Sequence, residues 1–95
     1  MKEYKFYEYF EDTDKLKIYS DDIHNYFEYN YNIIIKTIDF DQNQNVILFI
    51  ENMKKDTMIN LLEKLLLNDI EHLNDIEIKN MKMILTFDCK EIELF

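Results

Sequence analysis

The stretch SDDIHNYFEYNYNIIIKTIDF, residues 20–40, decides how the rest of the chain is read. From Phe27 onward large apolar side chains alternate with polar ones. Phe27, Tyr29, Tyr31, Ile33 and Ile35 fall on one face, and Glu28, Asn30 and Asn32 fall on the other. A period of two puts successive side chains on opposite faces of an extended backbone, so a strand is expected from Phe27 to about Phe40. The start of the stretch carries a different signal. Ser20 followed by Asp21 and Asp22 has the composition of a helix N-terminus, and Ile23, Tyr26 and Phe27 recur at helical spacing. A short helix near 21–28 is the competing reading of that part.

Working towards the N-terminus, Tyr4, Phe6 and Phe10, then Leu16 and Ile18, sit at two-residue spacing on either side of the polar break Glu11 to Asp14. Residues 2–10 and 14–20 are therefore expected to form a hairpin. On the other side, Asp41 to Asn45 is polar and rich in asparagine, the residue after glycine that best tolerates positive φ. It separates Ile38 and Phe40 from the run Val46 to Ile50, which predicts a second hairpin. Five consecutive apolar residues suit a strand covered on both faces or lying centrally under a helix. Asn52 or Asp56 can cap a helix over about 54–68, with Met58, Leu61, Leu62 and Leu65 as its apolar stripe. Met81, Met83, Leu85 and Phe87, then Ile92 and Leu94, alternate with polar residues across Asp88 to Lys90, which reads as a last hairpin. Asn68-Asp69-Ile70-Glu71 recurs as Asn74-Asp75-Ile76-Glu77, a spacing too short for a solenoid unit and read as chance. The expected fold class is α+β: one antiparallel sheet of five or six strands, with the main helix packed on one face.

Ninety-five residues, 47% of them hydrophobic and 33% charged, suit one globular domain with its own core. The single cysteine, Cys89, leaves no internal disulfide, and the opening Met1-Lys2-Glu3-Tyr4 lacks the apolar run of a secretion signal. No stretch approaches the roughly 18 apolar residues of a membrane-spanning helix. A soluble cytoplasmic protein without a membrane partner is expected. Glycine, proline, alanine, arginine and tryptophan are all absent. Apart from tryptophan these are residues with GC-rich codons, so an AT-rich bacterial or phage genome accounts for the bias. The absence of glycine also has chemical force. Backbones that cradle phosphate or expose a strained nucleophile need a residue without Cβ, so Walker loops, dinucleotide fingerprints and nucleophile elbows are excluded.

No other constellation points to chemistry. Asp39, Asp41, Asn43 and Asn45 have the opening spacing of a calcium-binding EF-hand loop, but Gln44 stands at the glycine position and Ile50 at the glutamate position. A hairpin turn explains them better. His24 near Asp21 and Asp22, and His72 near Asp69 and Glu71, lack zinc-site spacing and read as surface histidines. Cys89 lies in a turn beside Asp88 and Glu91, where neighbouring carboxylates raise a thiol pKa and make a nucleophile unfavourable. Glu91 with Glu93 reads as a solvated acidic face. The chain is expected not to be an enzyme and to use neither cofactor nor metal.

Charge says most about partners. Twenty acidic residues against eleven lysines give a net −9. A field of that sign repels phosphates, and without arginine the bidentate contacts to phosphate and guanine are missing, so direct nucleic-acid binding is not expected. All seven tyrosines fall within the first 31 residues, interleaved with carboxylates. Tyrosine offers rigid contact area and carboxylates attract a basic partner. The plainer account is that the tyrosines are core and the acids confer solubility. The candidate partner-binding residues are Tyr7 and Tyr9 as aromatic anchors, with Glu8, Glu11, Asp12, Asp14, Asp21, Asp22 and Glu28 standing in for phosphates. In size and charge the chain resembles the anti-CRISPR proteins as a class, without a motif that ties it to one family. That resemblance implies an inhibitor from a phage or mobile element, acting on a nucleic-acid-binding complex or nuclease. An immunity protein or antitoxin against a basic toxin, and a non-catalytic adaptor or homodimer, are the alternatives.

Overall fold

The computed structural model describes residues 5–41, 44–51, 54–67 and 70–95. In the deciding stretch the helix continues well beyond residue 28. Helix α1 spans Ser20–Tyr31, with Ile23 and Phe27 buried one turn apart and Tyr26 and Tyr31 half-buried beside them. The strand expected from Phe27 is thereby corrected: it begins only at Ile35. Phe6 packs against two aromatics of the helix and holds it in place. The Phe6 ring lies 5.0 Å from Tyr26 and 6.4 Å from Phe27, centroid to centroid, and this aromatic packing rewards the helical pairing of positions 23, 26 and 27. Asn32 ends the helix in the left-handed region, φ 55° and ψ 41°, where its N–H turns back to the Glu28 carbonyl at 3.0 Å.

The strands form two sheets rather than one of five or six strands. The first contains β1 (Tyr7–Phe10), β2 (Lys15–Ile18) and β7 (Glu91–Leu94), in the order β1-β2-β7. β1 and β2 are the expected antiparallel hairpin, closed by Glu11–Asp14. β7 runs parallel to β2, with Lys15 opposite Glu91 and Ile18 opposite Leu94. The expected final hairpin is therefore not formed. The turn before β7 is instead tied to the first hairpin, because the Asp14 carbonyl accepts the Lys90 and Glu91 N–H groups at 3.1 and 3.2 Å. A parallel neighbour needs a long connection, and here the connection is most of the chain.

The second sheet is antiparallel throughout. It comprises β3 (Ile35–Phe40), β4 (Asn45–Ile50), β5 (Leu73–Lys79) and β6 (Lys82–Phe87), in the order β3-β4-β6-β5. β3 and β4 form the expected second hairpin. The run Val46 to Ile50 lies centrally, with Val46, Leu48 and Ile50 buried on the inner face and Ile47 and Phe49 half-buried on the other. β5, within the segment read as a chance repeat, joins β6 through Asn80 and Met81, both at positive φ. Helix α2 (Lys55–Leu67) covers the inner face through buried Leu61 and Leu65 and half-buried Met58. Asp56 lies in its first turn, where a carboxylate favours the helix dipole, and Asn52 lies outside the described residues. Both sheets and both helices contribute to one buried cluster, from Phe6 and Leu16 through Ile23, Leu48 and Leu65 to Phe87.

Candidate functional site

The fold divides the nine candidate residues into groups with different surroundings. Tyr7 and Tyr9 lie on the inner face of the first sheet, opposite Ile18 and Leu16, half-buried and packed on the core. Their hydroxyls are engaged internally. The Tyr7 hydroxyl accepts the Glu71 N–H at 3.1 Å, and the Tyr9 hydroxyl donates to Asp14 Oδ1 at 2.7 Å. The hydrogen bond to Asp14, reinforced by burial and by the Asp14 and Glu11 charges, pushes the Tyr9 phenol up to about 12. Its ring also stacks on His72, 3.8 Å between centroids. Asp14 is similarly structural, since its other carboxylate oxygen accepts the Lys90 N–H at 3.0 Å.

Glu8 is exposed on the outer face of the first sheet, but it is not an isolated charge. Lys17 stands opposite it on β2, and Glu93 stands opposite Lys17 on β7. Lys15 pairs with Glu93 in the same face and holds that carboxyl below its usual range. Cations threaded between acids in this way satisfy the sheet rather than advertise a field. Glu11 and Asp12 are exposed at the hairpin tip, whereas Asp21, Asp22 and Glu28 belong to α1. Strand β2 alone puts roughly 13 Å between the two groups, at about 3.3 Å per residue. The acids adjacent in sequence are thus not one patch.

The outward face of α1 is the most coherent of these surfaces. Asp21, Asn25, Glu28, Tyr29 and Asn32 are all exposed, and their spacing of four, three, one and three residues keeps them on one side of a helix. No lysine occurs in α1, and among the described residues no ion pair involves Asp21 or Glu28. Asp21 and Asp22 in the first turn complement the helix dipole. Glu28, in the last turn, opposes it. Tyr29 is 51% exposed; its alternation with Glu28 and Asn30 points to a strand, and neither Asn25 nor Ile34 stands out in the linear pattern. The helical spacing of Asp21, Asn25, Glu28 and Asn32 is the signal that would have found this face.

Beyond Asn32 the surface changes character. A shallow cleft of about 380 Å³ opens where the end of α1, the end of β4 and the start of α2 meet, lined by Asn32, Ile33, Ile34, Ile50, Lys54 and Thr57 among others. Ile34 is 62% exposed at its edge.

Of the remaining candidates, His72, Cys89 and Asp41 have internal partners. His72 Nδ1 lies 3.1 Å from Asp88 Oδ1 and Nε2 lies 3.5 Å from Glu71 Oε1, so Asp88 joins the Glu71 expected from sequence, while Asp69 lies outside the described residues. His24 is half-buried on α1. Cys89 is buried, and burial followed by the Asp14 charge raises its thiol pKa. In the β3–β4 turn the Asp41 carboxylate accepts the Asn45 N–H at 3.3 Å and the Asn45 side-chain amide at 3.1 Å, the bonding of a turn residue. Asn43 lies outside the described residues. Among the described residues no group of three or more histidine, cysteine or acidic side chains is placed to hold a metal, and no helix is long and apolar enough to cross a membrane. Compared with protein-family models, curated proteins and solved structures, the chain matches none.

Proposed function

We propose that this chain is a small acidic inhibitor of the phage or mobile-element kind, anti-CRISPR-like, that occupies the basic nucleic-acid-binding surface of a host defence complex or nuclease. The observation that supports this reading is the outward face of α1: exposed Asp21 and Glu28, an exposed Tyr29 beside them, and no lysine on the helix. Carboxylates there take the place of phosphates, attract a basic groove from a distance and hasten encounter. Glu11 and Asp12 at the hairpin tip extend the field as a second, separate group. Tyr7 and Tyr9 support the first sheet from within, so Tyr29 takes the role of aromatic anchor.

The test is capture of partners on the tagged chain from lysate of the host cell, with elution by rising salt, alongside the double variant Asp21→Lys, Glu28→Lys. The expected result is a nucleic-acid-processing complex that is held at low salt, displaced by added DNA or RNA, and retained at least tenfold less by the variant. Equal retention by both proteins, or recovery of a complex indifferent to nucleic acid, counts against mimicry.

A further inference from the structure

The cleft at the end of α1 is a groove with an exposed aliphatic edge. Ile34 is 62% exposed and supplies the aliphatic edge, the almost fully buried Ile33 and Ile50 form the floor, and Glu51, Lys54 and Thr57 make the polar wall towards α2. Asn32 lines this cleft and also lines the shallow depression formed with Asn25, Glu28 and Tyr29 on α1. The acidic face and the apolar groove are therefore one continuous surface, hinged on the left-handed cap of the helix.

Charge alone is a poor anchor. Exposed ion pairs contribute little each and are screened within a Debye length of about 8 Å at physiological salt. Binding energy concentrates where an apolar side chain is desolvated in a depression beside polar and charged groups. From this juxtaposition we infer that the groove takes a large aliphatic or aromatic side chain of the basic partner, carried close to the cation that meets Glu28. The inference rests on the acidic-face reading above and adds to it the chemistry of the partner segment. Glu28 and Asn32 are one turn apart, about 6 Å along the helix axis. The partner's anchor and cation are thus three or four residues apart if the segment is helical, and two or three if it is extended. A uniformly polar cationic surface, such as a phosphate-binding lysine patch, uses only half of the site.

The probes are two synthetic peptides titrated into the isotope-labelled full chain and followed by NMR. One contains only alternating lysine and serine, and the other is identical except for one central serine replaced by leucine. The leucine peptide is expected to bind about tenfold more tightly, the scale of one partly buried aliphatic side chain. Both peptides should shift Asp21, Asn25 and Glu28 amides, and the leucine peptide alone should shift the Ile34 and Ile50 methyl groups. Ile34→Ser, at a position exposed enough to leave the fold intact, should abolish the leucine advantage and leave lysine–serine binding unchanged. Equal affinity of the two peptides at α1 overturns the apolar anchor while leaving the acidic face in place. A leucine advantage that survives Ile34→Ser, or maps elsewhere, overturns it as well. If neither peptide shifts α1, the basic-partner reading fails and the anchor falls with it.

Discussion

Replacing Met81 by glycine should make this protein more stable. Asn80 and Met81 join β5 to β6 with φ of 49° and 66°, the two consecutive positive values of a tight hairpin turn whose twist matches the strands. Asparagine tolerates that region, but methionine has a Cβ that crowds the following carbonyl at a cost of about 1–2 kcal/mol. Glycine removes the crowding and adds unfolded-state freedom worth about 0.4–1 kcal/mol in the opposite direction. The balance favours Met81→Gly by about 0.5–1 kcal/mol. For a domain of this size that raises Tm by roughly 2–8 °C. Met81 is 37% exposed, so side-chain burial lost on truncation is limited, and Met81→Ala controls for it. The 2.8 Å bond from the Ile50 N–H to the Met81 carbonyl is a main-chain contact that either variant keeps. Urea and thermal unfolding followed by circular dichroism measure the difference. A glycine variant less stable than the alanine variant would refute the assigned turn and, with it, the pairing of β5 and β6.

Two further outcomes follow from the electrostatics. Glu28→Lys replaces an anion by a cation at the C-terminal turn of α1, so it should raise stability by a few tenths of a kcal/mol in low salt. The same change should weaken capture of a basic partner; a variant that is stabilised yet binds undiminished argues against a binding role for Glu28. The hydrogen bond to Asp14 raises the Tyr9 phenol to about 12, and burial followed by the Tyr31 hydroxyl raises Tyr26 further. With folded values above the unfolded value of about 10, both contribute stability that is intact below pH 10 and lost as pH rises through the folded values. Tyrosinate absorbance should therefore include a late step coincident with unfolding, and Tyr9→Phe should shrink that step. A single tyrosinate transition near pH 10 would remove the basis for both assignments.

The parts of the fold legible in sequence were those decided locally. The breaks at Glu11–Asp14 and Asp41–Asn45 lie between runs of clear alternation, and both hairpins form. The stripe of Met58, Leu61 and Leu65 admits only a helical period, and α2 follows it within a residue or two. Residues 27–31 admit both periods, because Phe27 and Tyr31 share a face at a spacing of four whether the chain is helical or extended. Packing of Phe27 and Tyr26 on Phe6 breaks the tie, and Phe6 is remote in sequence. β5 was obscured for a related reason. Its alternation is confined to Ile76 and Ile78, since the pairing slips between Leu73 and Asp75. The partner of β7 depends on contacts between residues 15–18 and 91–94, which no local pattern encodes. The lack of glycine added another obstacle. Turns at Asp14, Asn32, Gln44, His72, Asn80 and Met81 take positive φ with no glycine to mark them, and Gln44 and Met81 are not even of the types that favour it.

The candidate site shows the same dependence on the helix. Read linearly, Glu8 to Glu28 is one acidic tract; folded, Glu8 faces Lys17, Asp14 is committed to Tyr9 and Lys90, and Asp22 is half-buried. Density of charge along a chain therefore overstates density on a surface, because strands return cations to the same face. The residues most telling about function are those whose placement works against the local structure. Asp21 and Asp22 stabilise the start of α1 and need no partner to explain them. Glu28 carries an opposing charge at the end of the same helix and has no ion-pair partner among the described residues, and Ile34 exposes a β-branched side chain two residues past the cap. Among the described residues neither has a compensating charge or apolar cover from its neighbours in the fold, which is consistent with the proposed binding role. Their proximity through Asn32 is what the proposed site rests on, and neither charge nor hydropathy alone would join them.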